Sequence, residues 1–185
     1  MVIPGKFTVP PLGDASKLRI SRTYVSSPAS TYNGRRNWGI PKKVAKFRFV
    51  GGEDGGMYSR VELREVGETD EAKPFFAVDL TPAMWGVTMP LSTAFSPLDL
   101  ELVHPPCPRG PDVERSESRH WYNVKPFITG RAGGAWAKGG MENGEWADGA
   151  RFPKAKPYSL GVWWKDVTID FPEGIVLGEE ERKDI

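Results

Sequence analysis

Two adjacent lysines, Lys42 and Lys43, carry the chemistry that this sequence most directly suggests. An amine attacks a carbonyl carbon only when it is neutral, whereas a free lysine has a pKa of about 10.4. Burial among apolar side chains and a neighbouring cation both lower the pKa of a lysine. The pair follows Pro41 in a stretch rich in aromatic and aliphatic residues. The two lysines are therefore candidates for an amine nucleophile, although most lysine pairs are solvated surface charges.

The spacing of the pair indicates which cause should dominate. Successive residues of a strand point to opposite faces, so the amines of Lys42 and Lys43 need not lie close together. We therefore expect desolvation to be the main cause of a lowered pKa and the second cation to be a minor one. An unbroken strand would place Lys43, rather than Lys42, on the face of Phe47 and Phe49. A bulge or turn after Pro41 would remove this conflict.

Residues 34 to 43 read Gly-Arg-Arg-Asn-Trp-Gly-Ile-Pro-Lys-Lys. This run resembles the Gly-Arg-Glu-x-x-x-x-Pro-Lys-Lys signature of the acetoacetate decarboxylase family. Upstream, residues 24 to 27 and Asn33 resemble the filamentous-fungal branch of that superfamily, and the similarity extends to residues 171 and 172. Arg36 departs from the signature, because many members have glutamate at its position.

The resemblance implies a mechanism. In this family the first lysine of the pair forms a Schiff base with a β-keto acid, and the protonated imine accepts electrons as carbon dioxide leaves. By position, Lys42 is the nucleophile and Lys43 tunes it, with no cofactor required. The superfamily also includes aldol and dehydration chemistry through the same imine. The resemblance thus implies a lyase of secondary metabolism that acts on a small carbonyl compound.

Part of the family domain is expected to be missing. The family carries a catalytic glutamate and an arginine ahead of a stretch that resembles Ile3-Pro4-Gly5, so we expect a domain shortened at its N-terminus. Asp14, in a Pro-Leu-Gly-Asp turn, is the only acidic residue before Lys42. The alternative function is a non-catalytic pocket protein that binds a small carbonyl or aromatic metabolite.

Three further residues are candidates for substrate binding. Arg22 shares one face of a predicted strand with Ile20 and Tyr24. A guanidinium among apolar neighbours could bind a carboxylate with two hydrogen bonds. The alternative is an arginine at a strand edge that reaches water. Trp38 and Trp85 could line a pocket, although most tryptophans belong to a core.

Other polar residues are interpreted as structural or solvated. Arg35 is interpreted as a structural or surface residue. His104 and His120 have no obvious acidic partner and are interpreted as structural histidines. Glu62 alternates with two arginines and is interpreted as solvated charge.

The composition excludes several classes of function. The chain has 185 residues and a formal net charge of +1, so nucleic acid and anionic membranes are not expected partners. Its one cysteine, Cys107, cannot form an internal disulfide, and no cluster has the spacing of a zinc site. The sequence has neither a signal peptide nor an apolar run of transmembrane length. We therefore predict a single cytoplasmic domain over residues 1–185 that binds no metal.

The fold class follows from the glycine and proline content and from the periodicity of apolar residues. The 21 glycines and 17 prolines are spread along the chain, and no helical pattern exceeds a turn or two. The glycine-rich residues 130–149 are predicted to form a mobile loop. We predict a mainly β domain with few short helices, an antiparallel barrel of the acetoacetate decarboxylase type. Alternation of apolar and polar residues predicts strands over 18–25, 44–50, 58–66 and 167–171, with shorter ones over 75–80, 98–103, 121–129 and 158–165.

The shortened barrel yields a prediction about assembly. A barrel without its N-terminal strands would expose unpaired backbone groups at an edge, and pairing with a second copy would cover them. We therefore predict a homo-oligomer. Sedimentation equilibrium at micromolar concentration should give a mass above that of one chain, and a clean monomer would contradict this expectation.

Overall fold

The structure, a computed structural model, describes residues 1–95 and 99–178. It is mainly β, with an antiparallel sheet that curls into half a barrel, and one α-helix within the described residues. The mainly β class predicted from glycine, proline and alternation is therefore confirmed. Leu98, the first residue of the strand predicted over 98–103, lies outside the described residues.

The α-helix, α1, spans Pro28–Trp38, and the rest of the regular structure is made of strands and short turns of 3₁₀ helix. The 3₁₀ turns cover Pro10–Leu12, Glu53–Gly55, Met84–Gly86 and Thr93–Phe95. In chain order the strands are β1 Lys6–Val9, β2 Ala15–Leu18, β3 Thr23–Val25, β4 Lys42–Val44, β5 Lys46–Gly51, β6 Tyr58–Arg64, β7 Phe76–Pro82, β8 Thr88–Ser92, β9 Leu102–His104, β10 Trp121–Val124, β11 Phe127–Gly139, β12 Leu160–Asp170 and β13 Ile175–Leu177.

These strands form three sheets. A five-stranded sheet has the order β1-β2-β9-β10-β13, in which β2 and β9 are parallel and the other neighbours are antiparallel. A six-stranded sheet has the order β12-β11-β7-β6-β5, and β8 also pairs with β11. The parallel pair of β3 and β4 stands as a small third sheet. This pair carries the two lysines singled out in the sequence.

The chain groups into two compact units. The first contains the described parts of Met1–Val44, Phe95–Phe127 and Ile169–Ile185, and the second contains Ala45–Ala94 and Ile128–Thr168. The single domain expected over residues 1–185 stays a prediction.

The strand predicted over 18–25 is interrupted. Strand β2 ends at Leu18 and β3 begins at Thr23. Between them, the backbone N–H of Ile20 donates to Nε2 of the His104 imidazole at 3.1 Å instead of to a neighbouring strand. Alternation of side chains cannot reveal such a break, because it does not show where a backbone donor finds its acceptor.

The loop predicted over residues 130–149 is wrong in its first half, which belongs to the 13-residue strand β11. Its glycines serve close approach rather than mobility. A Cβ added at Gly133 would lie 2.6 Å from the Trp163 indole nitrogen and 2.8 Å from the carbonyl oxygen of Val87. Glycine at this position therefore lets neighbouring segments pack against the strand.

The interpretation of Glu62 as solvated charge is also wrong. Its side chain lies among arginines on β6, and the residue is 5% exposed. The Arg60 Nε and Glu62 Oε1 atoms are 2.6 Å apart, and Arg64 reaches Glu62 Oε2 at 2.8 Å. Burial by itself would raise the pKa of Glu62, but hydrogen bonds from Arg60 and Arg64 outweigh burial and lower it. Alternation identified the face of the strand correctly without showing that this face is covered.

No helix among the described residues is long and apolar enough to cross a membrane.

The first unit has a core built around buried aliphatic side chains. His104, at the end of β9, is fully buried and accepts the Ile20 hydrogen bond through Nε2. Burial, reinforced by the positive charge of Arg19, lowers the pKa of His104 to about 4. The core residues are Ile20, Ile40, Leu102 and Val124, with Leu18, Trp38 and Phe171 packed against them.

The buried imidazole predicts a pH dependence of stability. The unfolded chain takes up a proton near the usual histidine pKa of about 6.5, whereas folded His104 stays neutral down to about 4. Because the unfolded state binds more protons in this interval, the free energy of unfolding should fall by up to about 3 kcal/mol as the pH drops through it. Urea titrations at several pH values should show a steeper fall in the free energy of unfolding for the wild type than for His104→Gln. If the two proteins lose stability in parallel, the pH dependence does not come from His104.

Candidate functional site

The helix α1 has explicit start and stop signals. The Ser27 hydroxyl oxygen caps its beginning by accepting a hydrogen bond from the backbone N–H of Ser30 at 3.3 Å, and Pro28 occupies the first turn. Gly39 ends the helix in the left-handed conformation, with φ of 63°. Sequence analysis predicted no helix of this length, although Ser27-Pro28 and Gly39 were signals that could have revealed one.

The buried face of α1 explains why periodicity did not reveal it. The residues that the helix buries are Thr31, Gly34 and Arg35, which follow helical spacing but include no aliphatic side chain. A search for apolar residues at intervals of three and four therefore finds too few. The helix depends on its caps and on polar contacts from this face.

Beyond Gly39 the chain turns directly into β4, which runs parallel to β3 with Thr23 opposite Lys42 and Tyr24 opposite Lys43. Strand β4 ends at Val44, and β5 begins only at Lys46. The unbroken strand considered in the sequence does not exist, and its break lies after Val44 rather than after Pro41. The register of the phenylalanines in β5 therefore does not determine where Lys42 points.

The Lys42 side chain lies against the backbone of α1. A Cβ added at Gly34 would overlap the Lys42 Cδ and Cε atoms and would lie 2.8 Å from Nζ. One turn earlier on the helix, the Ser30 hydroxyl oxygen accepts a hydrogen bond from Lys42 Nζ at 3.1 Å. The glycine that opens the ten-residue run thus provides the space that the lysine stem occupies.

A pocket of about 380 Å³ opens beside this amine. The Trp38 and Phe171 rings meet at 55°, with centroids 5.7 Å apart. The Trp38 indole N–H donates to the backbone carbonyl of Pro172 at 2.8 Å, which fixes the ring. The described residues that line the pocket are Ser30, Asn33, Trp38, Ile40, Lys42 and Phe171.

Burial lowers the pKa of Lys42 below the usual lysine range. Desolvation penalises the ammonium more than the neutral amine, so a larger fraction of Lys42 is neutral at any given pH than for a free lysine. This agrees with the expectation that burial, rather than the neighbouring Lys43, is the main cause. The effect is the one that a lysine nucleophile requires.

Arg35 anchors the backbone of Lys42. It is 4% exposed, and its guanidinium donates to the Lys42 carbonyl oxygen at 3.2 Å and to the Ser116 hydroxyl at 3.1 Å. A further guanidinium N–H donates to the carbonyl oxygen of Pro108. Arg35 is thus a structural residue that joins α1, β4 and residues 108–116, as one of its two sequence interpretations proposed.

The remaining candidates are distributed differently. Lys43 is partly buried and follows Lys42 in β4, where successive side chains point to opposite faces. The backbone of Arg22 bridges to Val2, and Arg22 is not among the described residues that line the Lys42 pocket. Trp85 belongs to the second unit, where its side chain is 100% exposed and its φ is 53°. Of the predicted site residues, the structure brings together Lys42 and Trp38.

Sequence analysis did not single out Ser30 or Phe171 as site residues. Ser30 lies four residues before Gly34, so both fall on one helical face once α1 is recognised. Phe171 is separated from Trp38 by more than a hundred residues, and no local pattern connects them.

A scan of protein-family models, a search of curated proteins and a search of solved structures found no match to this chain. The resemblance to the acetoacetate decarboxylase family therefore stays a prediction.

The contact between Lys42 and Gly34 can be tested by Gly34→Ala. The new methyl group should push the flexible lysine stem toward solvent, while alanine is about 1 kcal/mol better than glycine in a helix interior. The free energy of unfolding should change little, but the pKa of Lys42 should rise toward the usual lysine value. The pH dependence of Lys42 acylation, followed by peptide mass spectrometry, measures this. Tyr32→Ala, an exposed change on the same helix, is the control. A wild-type acylation profile in Gly34→Ala would refute the packing argument.

Proposed function

We propose that this protein is a lysine Schiff-base lyase whose nucleophile is Lys42. The observation that carries the proposal is an amine whose pKa is lowered by burial and which opens into a largely apolar pocket. A larger fraction of such an amine is neutral at a given pH than of a free lysine, and the neutral amine is the form that attacks a carbonyl carbon. A small carbonyl compound is the substrate, and no cofactor is needed for the imine chemistry.

The reaction begins when the Lys42 nitrogen bonds to the substrate carbonyl carbon and forms a carbinolamine. The carbinolamine takes up a proton from solvent at its hydroxyl group and loses water, which leaves a protonated imine. A bond from the carbon next to the imine carbon then breaks; its electron pair forms the carbon–carbon double bond of an enamine, and the C=N π pair moves to the nitrogen. A β-keto acid releases carbon dioxide in this step, whereas a β-hydroxy ketone releases an aldehyde as its hydroxyl proton passes to water. Protonation of the enamine carbon and hydrolysis of the imine restore the free lysine.

The surrounding residues have separate supporting roles in this proposal. Ser30 holds the amine through its hydroxyl oxygen, and Gly34 leaves room for the lysine stem. Arg35 holds the backbone of Lys42 in place from the interior. Lys43 has a minor tuning role, because burial is the main cause of the lowered pKa of Lys42. These roles position one amine and keep it partly dry, which is what nucleophilic catalysis by lysine demands.

The proposed fold is an acetoacetate decarboxylase-like barrel in shortened form. The resemblance of residues 34–43 and the curled antiparallel sheet support this proposal. Membership in that family would also account for the glycine at position 34, since the signature begins with glycine.

One observation favours the alternative of a non-catalytic pocket protein. Among the described residues that line the Lys42 pocket, none is a carboxylic acid that could move a proton during bond cleavage. A protein with this site could still form an imine reversibly and thereby bind a carbonyl metabolite. Product analysis separates the two functions, because only the lyase releases carbon dioxide or an aldehyde.

Reductive trapping tests the proposed nucleophile. Borohydride added during incubation with several keto acids and ketones should give a stable adduct that peptide mapping places on Lys42. Lys42→Arg should give no adduct, because a guanidinium stays protonated. Lys43→Ala should retain most of the trapping, since burial is the main cause of the lowered pKa. If none of the carbonyl compounds modifies Lys42, the lyase proposal fails and the binding-protein alternative remains.

A further inference from the structure

The walls of the Lys42 pocket carry information about its substrate. Trp38, Ile40 and Phe171 make one part of the lining apolar and aromatic, and the other described lining residues are a serine, an asparagine and the lysine itself. Within this described lining, Lys42 is the one group that can carry a positive charge.

We infer that the substrate of Lys42 is a ketone or aldehyde with an aromatic or branched apolar arm and without a carboxylate. This inference rests on the proposed function and narrows its substrate class. The pocket accommodates the arm against Trp38 and Phe171, and the carbonyl carbon lies at the Lys42 amine. The reaction that remains is cleavage of a β-hydroxy ketone rather than decarboxylation.

The state of the lysine argues against an acidic substrate. Lys42 must be neutral when it attacks, so at that moment the described lining offers no cation to a substrate carboxylate. An anion moved from water into such a site without a charged partner loses solvation that nothing replaces. A neutral carbonyl compound avoids that cost.

The arginines near the site do not supply the missing cation. Arg35 is buried, and its guanidinium donates to the oxygens of Lys42, Pro108 and Ser116. Arg36 lines a different pocket of about 500 Å³, which is predominantly polar. Within the described residues, neither Arg35 nor Arg36 is therefore placed to bind a carboxylate at the Lys42 amine.

The size and rigidity of the pocket argue for an apolar arm. Its volume of about 380 Å³ lies in the range of small-molecule sites and exceeds the roughly 150 Å³ of a cavity that holds benzene. A substrate of four carbons would leave much of it to water. The Trp38 ring is held by its hydrogen bond to Pro172, so its face is available without reorganisation. Asn33, exposed at the pocket, can bind a neutral oxygen.

Competitive trapping with matched carbonyl compounds tests the inference. Borohydride trapping rates at Lys42 are measured for 4-phenyl-2-butanone, 2-butanone and acetoacetate, each divided by its rate with a free lysine derivative. We expect 4-phenyl-2-butanone to exceed 2-butanone by about tenfold, because the aromatic arm gains contact with Trp38 and Phe171. Acetoacetate should be no faster than 2-butanone.

Two variants and one control make the result specific. Phe171→Leu should reduce the preference for the aromatic ketone. Asn33→Arg, at an exposed position of the pocket lining, should raise acetoacetate trapping relative to 2-butanone by supplying a cation. Tyr32→Ala lies outside the described lining and should leave both ratios unchanged.

The outcomes separate the inference from the proposed function. If acetoacetate is trapped fastest at Lys42, the substrate class is overturned while the nucleophile stands. Equal normalised rates for the two ketones would also overturn it, because the aromatic wall would then contribute nothing. If no carbonyl compound is trapped at Lys42, the inference and the proposed function both fail.

Discussion

The close contact between the Lys42 stem and the α1 backbone at Gly34 is the constraint on which the candidate site depends. It brings a lysine from β4 across a helix that a side chain at position 34 would block. The amine then reaches Ser30, one turn along the same helix. Arg35, the next residue after the glycine, holds the Lys42 carbonyl from the buried side. Two consecutive residues of one helix thus locate both ends of the lysine.

The burial of Lys42 that accompanies this packing also affects the stability of the fold. Because burial lowers the pKa of Lys42, the folded chain binds this proton less tightly than the unfolded chain. The contribution of Lys42 to the free energy of unfolding therefore rises with pH between the lowered pKa and about 10.4, and protonated Lys42 costs stability below that interval. If Lys42 is the nucleophile that we propose, the same burial supplies the neutral amine that it needs.

Polar groups in the interior have other roles. Buried Glu62 forms ion pairs with Arg60 and Arg64. His104 accepts a hydrogen bond from the backbone N–H of Ile20, where the chain has left strand β2. Each replaces a partner that water or a neighbouring strand would otherwise supply. The glycines of β11 show the converse, because the absence of a side chain there permits close approach of neighbouring segments. The sequence analysis interpreted Glu62 as solvated charge and the glycines of β11 as part of a loop, whereas it interpreted His104 as a structural residue.

The sequence by itself determined the mainly β class and singled out the lysine pair. Apolar–polar alternation, the glycine and proline content and the run from 34 to 43 are all local properties of the chain. The strands predicted over 44–50, 58–66 and 75–80 overlap β5, β6 and β7, whereas the two predicted over 158–165 and 167–171 belong to the single strand β12. Only the tertiary structure decided that Ser30 meets Lys42, that Phe171 faces Trp38 and that Glu62 is covered. These contacts depend on which face of each element is buried and on segments far apart in the chain. A period in the sequence specifies a face, but the free energy of packing determines what that face meets.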